Sequence, residues 1–98
     1  MSDSLLRFQK WYSAQCNGLW EHGDGIVIET LDNPGWIVKI DLKGTRWEKT
    51  LWKDIQFDNG SDDWVSCSKK GARFEGCGDP SKLEYILDHF LDQIATTK

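Results

Sequence analysis

The chain is short of the residues that most chemical sites require. Its 98 residues include two histidines and three cysteines, too few nitrogen ligands for an ordinary zinc site and an odd number of thiols. Cys16, Cys67 and Cys77 fall at separations that fit neither a zinc site nor a redox CxxC pair, so reduced thiols are expected. A Cys67–Cys77 bridge across neighbouring strands is geometrically conceivable but would be unusual in a reducing compartment. No apolar run approaches the ~20 residues of a membrane span, and Met1-Ser2-Asp3-Ser4 lacks the basic and then apolar pattern of a signal peptide. A cytoplasmic protein is expected. Basic charge is not in excess either: sixteen carboxylates against twelve Lys and Arg give a formal charge of -4, which disfavours direct nucleic-acid binding through phosphate neutralisation. A basic protein is the better electrostatic partner.

What the chain does have is aromatic bulk, with six tryptophans, two tyrosines and four phenylalanines. A tryptophan must bury a large ring and still find an acceptor for its indole N–H. A chain of this length folds as one domain, residues 1–98, and buries only about two-thirds of the surface exposed by its unfolded form. Its aromatics are therefore needed first in the core. The alternative use is as anchors in a recognition surface, and for Trp20 and Trp36 both uses stay open.

Periodicity divides the chain. Leu5, Phe8, Tyr12 and Cys16, widened by Leu6 and Trp11, predict an amphipathic helix over 4–16 with Ser2, Asp3 or Ser4 as its cap. Asn17-Gly18 ends it, and Gly23-Asp24-Gly25 continues as a loop. From Ile26 the period becomes two. Trp36, Val38, Ile40 and Leu42 alternate with Ile37, Lys39 and Asp41, while Asn33-Pro34-Gly35 carries the chemistry of a tight reversal. Strands 25–32 and 36–43 are expected to form an antiparallel hairpin. After a turn at Lys43-Gly44, Trp47, Leu51, Ile55 and Phe57 are expected on one side of a longer extended stretch that bends near Lys53-Asp54. Two shorter strands follow the Asp58-Asn59-Gly60-Ser61 turn, around Trp64–Cys67 and Arg73–Glu75. Leu83, Ile86, Leu87, Phe90, Leu91 and Ile94 then form one helical face, begun by Asp79-Pro80 or by a Ser81…Glu84 capping box. Asp88, His89, Asp92 and Gln93 lie off that face and should be solvated. The expected fold is α+β, a four- to five-stranded antiparallel sheet with an N-terminal and a C-terminal helix packed on it.

Three groups of residues invite a chemical reading. Glu21, His22 and Asp24 bring a group that titrates near neutrality beside carboxylates, yet adjacent residues on an extended segment point apart and no nucleophile completes a triad. The plainer reading has Trp20 plugging the core while Glu21 and His22 satisfy nearby backbone. Asp58-Asn59-Gly60-Ser61-Asp62-Asp63 suggests a calcium loop but lacks its alternating ligands and terminal bidentate Glu. It reads as an acidic hairpin turn. Arg46-Trp47-Glu48-Lys49-Thr50-Leu51-Trp52-Lys53 mixes basic and aromatic residues, and alternation leaves Trp52 as an exposed ring opposite Trp47, Leu51 and Ile55. No cofactor or metal is implied.

Taken together, Trp11-Tyr12, Cys16-Asn17-Gly18, Trp20-Glu21-His22, Gly25-Ile26, the run Glu29 to Trp36 (ETLDNPGW), Asp63-Trp64 and Phe74-Glu75-Gly76 resemble the immunity protein 53 family. The resemblance covers nearly the whole chain. It implies an α+β antidote, without catalytic activity, that binds a toxin domain encoded by an adjacent gene. On that expectation Asp24, Asp32, Asp58, Asp62 and Asp63 steer a basic toxin such as a nuclease, and Trp20, Glu21, His22, Trp36 and Trp52 are candidate contacts. The alternatives are a small enzyme using Glu21 and His22, or an adaptor with no toxin partner. Either a monomer or a homodimer through an exposed strand edge fits the sequence.

Overall fold

The computed structural model describes residues 3–96. Five strands, β1 (Ile26–Leu31), β2 (Gly35–Asp41), β3 (Ile55–Asp58), β4 (Trp64–Lys70) and β5 (Arg73–Gly78), lie between helices α1 (Ser4–Gln15) and α2 (Leu83–Thr96). They form one sheet in the order β1-β2-β5-β4-β3, with every neighbouring pair antiparallel. The expected hairpin is present, with Ile26 opposite Ile40 and Leu31 opposite Gly35.

The alternation predicted for β2 decides what the sheet buries. Val38, Ile40 and the following Leu42 are fully buried, and across the register Phe74, Val65 and Cys67 join them on one face. Helix α2 lies on that face through Ile86, Leu87, Phe90 and Leu91, four of the six apolar positions expected of it, with Leu83 and Ile94 packed at the margin. The helix comes very close at Gly76, where an added Cβ would stand 2.7 Å from the Ile86 methyl. A glycine in mid-strand here marks helix contact.

Helix α1 packs beside α2, but on a different stripe from the one expected. Ser4, Phe8 and Trp11 are buried, whereas Leu5, Leu6 and Tyr12 are 63%, 53% and 43% exposed and Cys16 is exposed. The larger rings determine the orientation: Phe8 and Trp11 both meet Phe90 edge-on, and Trp11 meets Trp20 at 5.7 Å between centroids. Ser4 is small enough to sit against α2, where its hydroxyl donates to Asp88. Asp3 occupies the cap position without a side-chain cap bond, and Ser2 lies outside the described residues.

The largest departure is the segment between β2 and β3. An extended strand is expected there, but residues 43–49 form successive turns and residues 50–54 have no regular structure. Thr45 and Thr50 donate their hydroxyls to the carbonyls of Leu42 and Trp47, three residues back, at 2.7 and 2.8 Å, the local bonding by which such residues compete with a sheet ladder. Strand alternation therefore does not operate there. Leu51 is 98% exposed, while Trp52 turns inward against Phe74 and Phe90. The Lys69 ammonium supports this segment by donating to the Glu48 and Gly71 carbonyls, both at 2.8 Å.

Residues 52–54 also cover the polar side of α2. The Lys53 amide donates to Gln93 Oε1 at 3.0 Å, and His89 Nε2 lies 3.1 Å from the Lys53 carbonyl. His89, expected in solvent, is half-buried beside the Phe74 ring, and that burial lowers its pKa against the opposing Lys53 contact. All three cysteines are free thiols. Register excludes the Cys67–Cys77 bridge: Cys67 stands opposite Gly76 and Cys77 opposite Ser66, which places the two thiols on opposite faces.

Candidate functional site

The sheet separates the expected site residues into two groups at opposite ends. At one end are Trp20, Glu21, His22 and Asp24, just before β1. Trp20, Glu21 and His22 form a single 3₁₀ turn, and each side chain has a different fate. Trp20 is buried, its indole N–H donating to the Asp41 carbonyl at 3.0 Å. Glu21 accepts the amides of Asn17 and Gly18, one on each carboxylate oxygen, at 2.9 and 2.7 Å. Backbone N–H groups, first that of Glu21 itself and then those of Gly18 and Asn17, hold its pKa below the ordinary carboxylate value despite opposing burial. A carboxylate so occupied is a poor general base. His22 and Asp24 are exposed. Trp20 and Glu21 thus match the plainer structural reading, closing a loop rather than presenting a surface.

Trp52 belongs to neither end. It packs on the core, with its indole nitrogen buried, and the expectation of an exposed ring there is not met.

The other end gathers the rest. The β1–β2 turn carries Asp32, the β3–β4 turn carries Asp58, Asp62 and Asp63, and the antiparallel register sets both beside the connection from β5 to α2. All four carboxylates are exposed. Between the two turns lies a cleft of about 600 Å³ lined by Asn33, Asp58, Gly60, Ser61 and Trp64. Half-buried Trp64 forms its wall, its ring lying 3.4 Å from where a Gly35 side chain would begin. A larger residue at Gly35 would collide first with the Gly78 carbonyl, so the start of β2 admits no side chain there. Trp36 is also half-buried and ties this end together, donating its indole N–H to the Pro80 carbonyl at 3.0 Å.

Beneath the cleft sits a hub that the sequence reading saw only as a helix start. Asp79 is 1% exposed. One of its carboxylate oxygens accepts the Trp64 amide at 2.8 Å and the Lys82 ammonium at 2.9 Å, and the other accepts the Ser81 amide at 2.7 Å. Burial alone would raise its pKa, but hydrogen bonds from Ser81, Lys82 and the Trp64 amide outweigh it and hold the carboxyl well below the usual range. Lys82 reaches on to Asp63 at 2.8 Å. That bond, with one from Asn59, lowers the Asp63 pKa. Asp32, Asp58 and Asp62 take part in no ion pair among the described residues. The Asp79-Pro80-Ser81-Lys82 run, a turn of polar residues beside a distant Asp-Trp pair, is the signal that could have marked this hub.

Among the described residues no three His, Cys, Asp or Glu side chains gather as a metal site requires, and no helix is long and apolar enough to cross a membrane. The geometry is therefore that of an acidic, aromatic-walled end on a rigid sheet, supplied by three connections and held by one buried carboxylate. A family model described as immunity protein 53 matches residues 5–95, from the first turn of α1 to the last turn of α2. The chain belongs to that family. No curated protein and no solved structure matches it. Immunity protein 53 membership implies neutralisation of a cognate toxin partner, a role that such antidotes typically fill as inhibitors without catalysis.

Proposed function

We propose that this protein neutralises a cognate toxin domain by one-to-one occlusion in the cytoplasm of the cell that makes both, and that the acidic end of the sheet faces the toxin. The observation that carries the surface is the placement of Asp32 on the β1–β2 turn and of Asp58, Asp62 and Asp63 on the β3–β4 turn at one end of the sheet, with Asp58 lining the Trp64-walled cleft between those turns. Exposed carboxylates on two turns share that end, which favours a partner with a basic active surface, such as a nuclease whose phosphate-binding residues the carboxylates would meet. Trp64 and Trp36 add aromatic area at the same end, the type of contact that slows dissociation.

The opposite end is the weaker choice. Glu21 already serves the backbone, and no observation favours acid-base chemistry at His22.

The test is a titration against the toxin domain encoded by the adjacent gene, following heat of binding and residual toxin activity. Activity lost at an equimolar ratio is the expected result, and protection well below one equivalent would instead indicate turnover. Replacing Asp32, Asp58 and Asp62 together by Lys should lower the association rate by about tenfold or more at low salt, with the difference shrinking as salt rises. An unchanged rate would remove this end from the interface.

A further inference from the structure

The two edges of the sheet are not equally protected. At β3 the edge has four residues, its entry is tied to α2 through Lys53, and it runs directly into the acidic turn. At β1 the edge has six residues, Ile-Val-Ile-Glu-Thr-Leu, with no proline, no lysine and no break in its register to β2. Natural edges normally carry one of those defences against pairing with another strand.

The ladder shows which groups β1 leaves free. The Asp41 amide donates to the Gly25 carbonyl at 2.8 Å, so in the antiparallel alternation Val27, Glu29 and Leu31 bond toward β2, and Ile26, Ile28 and Thr30 direct their N–H and C=O outward. Their side chains lie on the helix side of the sheet. Ile28 is 40% exposed there. Beside it a groove of about 410 Å³ separates β1 from α1, lined by Phe8, Gln9, Tyr12 and Ile26 among others. Leu5, one turn before Gln9 and 63% exposed, extends the apolar lip.

We propose that this edge pairs with β1 of a second copy, antiparallel about a two-fold axis at Ile28, to give a continuous ten-stranded sheet. The register argues for a second copy because it is self-complementary. Centring on Ile28 pairs Ile28 with its mate and Ile26 with Thr30 twice, which uses all six outward donors and acceptors. The same register sets Glu29 opposite Val27 of the mate, whereas sliding the centre to Glu29 would oppose two carboxylates, which is destabilising. A two-fold interface needs only one patch that fits itself. A strand pair alone falls short of the ~1,200 Å² that stable interfaces bury, and the exposed Leu5 and Tyr12 beside the groove supply further apolar area. The pairing also sets Asp24 opposite Asp32 of the mate. Self-association should therefore strengthen as salt rises, the reverse of acid-driven toxin binding.

The experiment is molar mass in solution by light scattering across a concentration series, with sedimentation at two salt concentrations. The expected result is twice the chain mass of 11.3 kDa in the upper range, shifting toward dimer with added salt. Ile28→Pro removes an N–H that the monomer does not use, and proline is tolerated at such edge positions. It should give a monomer of unchanged circular dichroism, and a folded I28P that still dimerises would overturn the proposal. Should I28P fail to fold, Ile28→Cys in a Cys16→Ser background decides: paired Cα atoms at a hydrogen-bonded site lie about 5.5 Å apart, within disulfide reach. Rapid oxidation to a covalent dimer supports the register. A wild-type monomer at every concentration, or an I28C/C16S chain that does not crosslink, overturns it. None of these readouts involves the toxin, so they stand apart from the fate of the proposed function.

Discussion

The two faces of the sheet are built from alternate residues of the same strands and have opposite properties. On the helix side, Val38, Ile40, Val65, Cys67 and Phe74 are essentially without solvent contact. On the other side the same strands place Ile37, Lys39, Glu75, Cys77 and Ser66, all half-buried and covered by neither helix. One face supplies cohesion and leaves little room for change. The other holds mixed, shallow contacts that tolerate substitution, which leaves it and the turns at its ends free to diversify toward a partner without loss of the fold.

The largest effects of substitution are expected on the covered face. Phe90→Ala removes the ring that meets Phe8, Trp11, Trp52 and Phe74, and should cost about 3–5 kcal/mol in urea unfolding. Gly76→Ala adds one methyl where the Ile86 side chain already stands; a loss of roughly 1–3 kcal/mol is expected. By contrast Ile37→Ala, one strand away on the open face, should cost less than about 1.5 kcal/mol, and a loss as large as that of F90A would mean that the open face is also covered.

Asp79 sharpens the contrast through pH. Its folded pKa lies below the unfolded value of about 3.9. Its stabilising contribution is therefore complete above that value and is lost as pH falls toward the folded pKa. Asp79→Asn should lower thermal stability at neutral pH and flatten the acid limb of the stability profile. Asp63 and Glu21 are also shifted downward, so some acid dependence should remain. An acid limb identical to wild type would show that Asp79 is not the hub described.

The smallest effect separates the faces directly, by thiol labelling. Burial pushes the Cys67 thiol up to about 12, and it should react only on unfolding. Burial, then Glu75, also raises Cys77, though less, and Lys70 opposes the shift; a slow native-state reaction is expected. Cys16 is exposed and should react first. Cys67 labelled at the rate of Cys77 would contradict the two-face assignment.

What was legible in the sequence followed from unbroken periodicity. The α2 face, the β1–β2 hairpin and the acidic turn could be read because a single period ran through each and turn residues bounded it. The resemblance to immunity protein 53, carried by short motifs from Trp11 to Gly76, agrees with the family match over residues 5–95. The reading failed where period lost to packing or to local bonding. Trp11 displaced Leu5 and Tyr12 because one large ring outweighs two residues of a weak stripe. Thr45 and Thr50 bonded the turns of residues 42–50 to their own carbonyls, and strand alternation no longer set the roles of Leu51 and Trp52. His89 and Gln93 look solvated on the helix alone and are half-buried because Lys53 bonds across them. For the candidate site, the acidic residues were visible as types, but their place at one end of the sheet depended on strand order, with β5 inserted between β2 and β4, which no local pattern encodes.

Lys82 also bears on what the acidic rim can bind. In the free protein its ammonium already occupies Asp63 and is anchored beneath it by Asp79, so the rim carries its own resident cation. An arriving lysine or arginine would find that carboxylate oriented and partly stripped of water, and would have to evict a tenant rather than neutralise a bare charge. Partners with a second basic group for Asp58 or Asp62 would gain more than those with one. If that rim meets the toxin, a solitary basic group would thereby gain less there than a cluster of them.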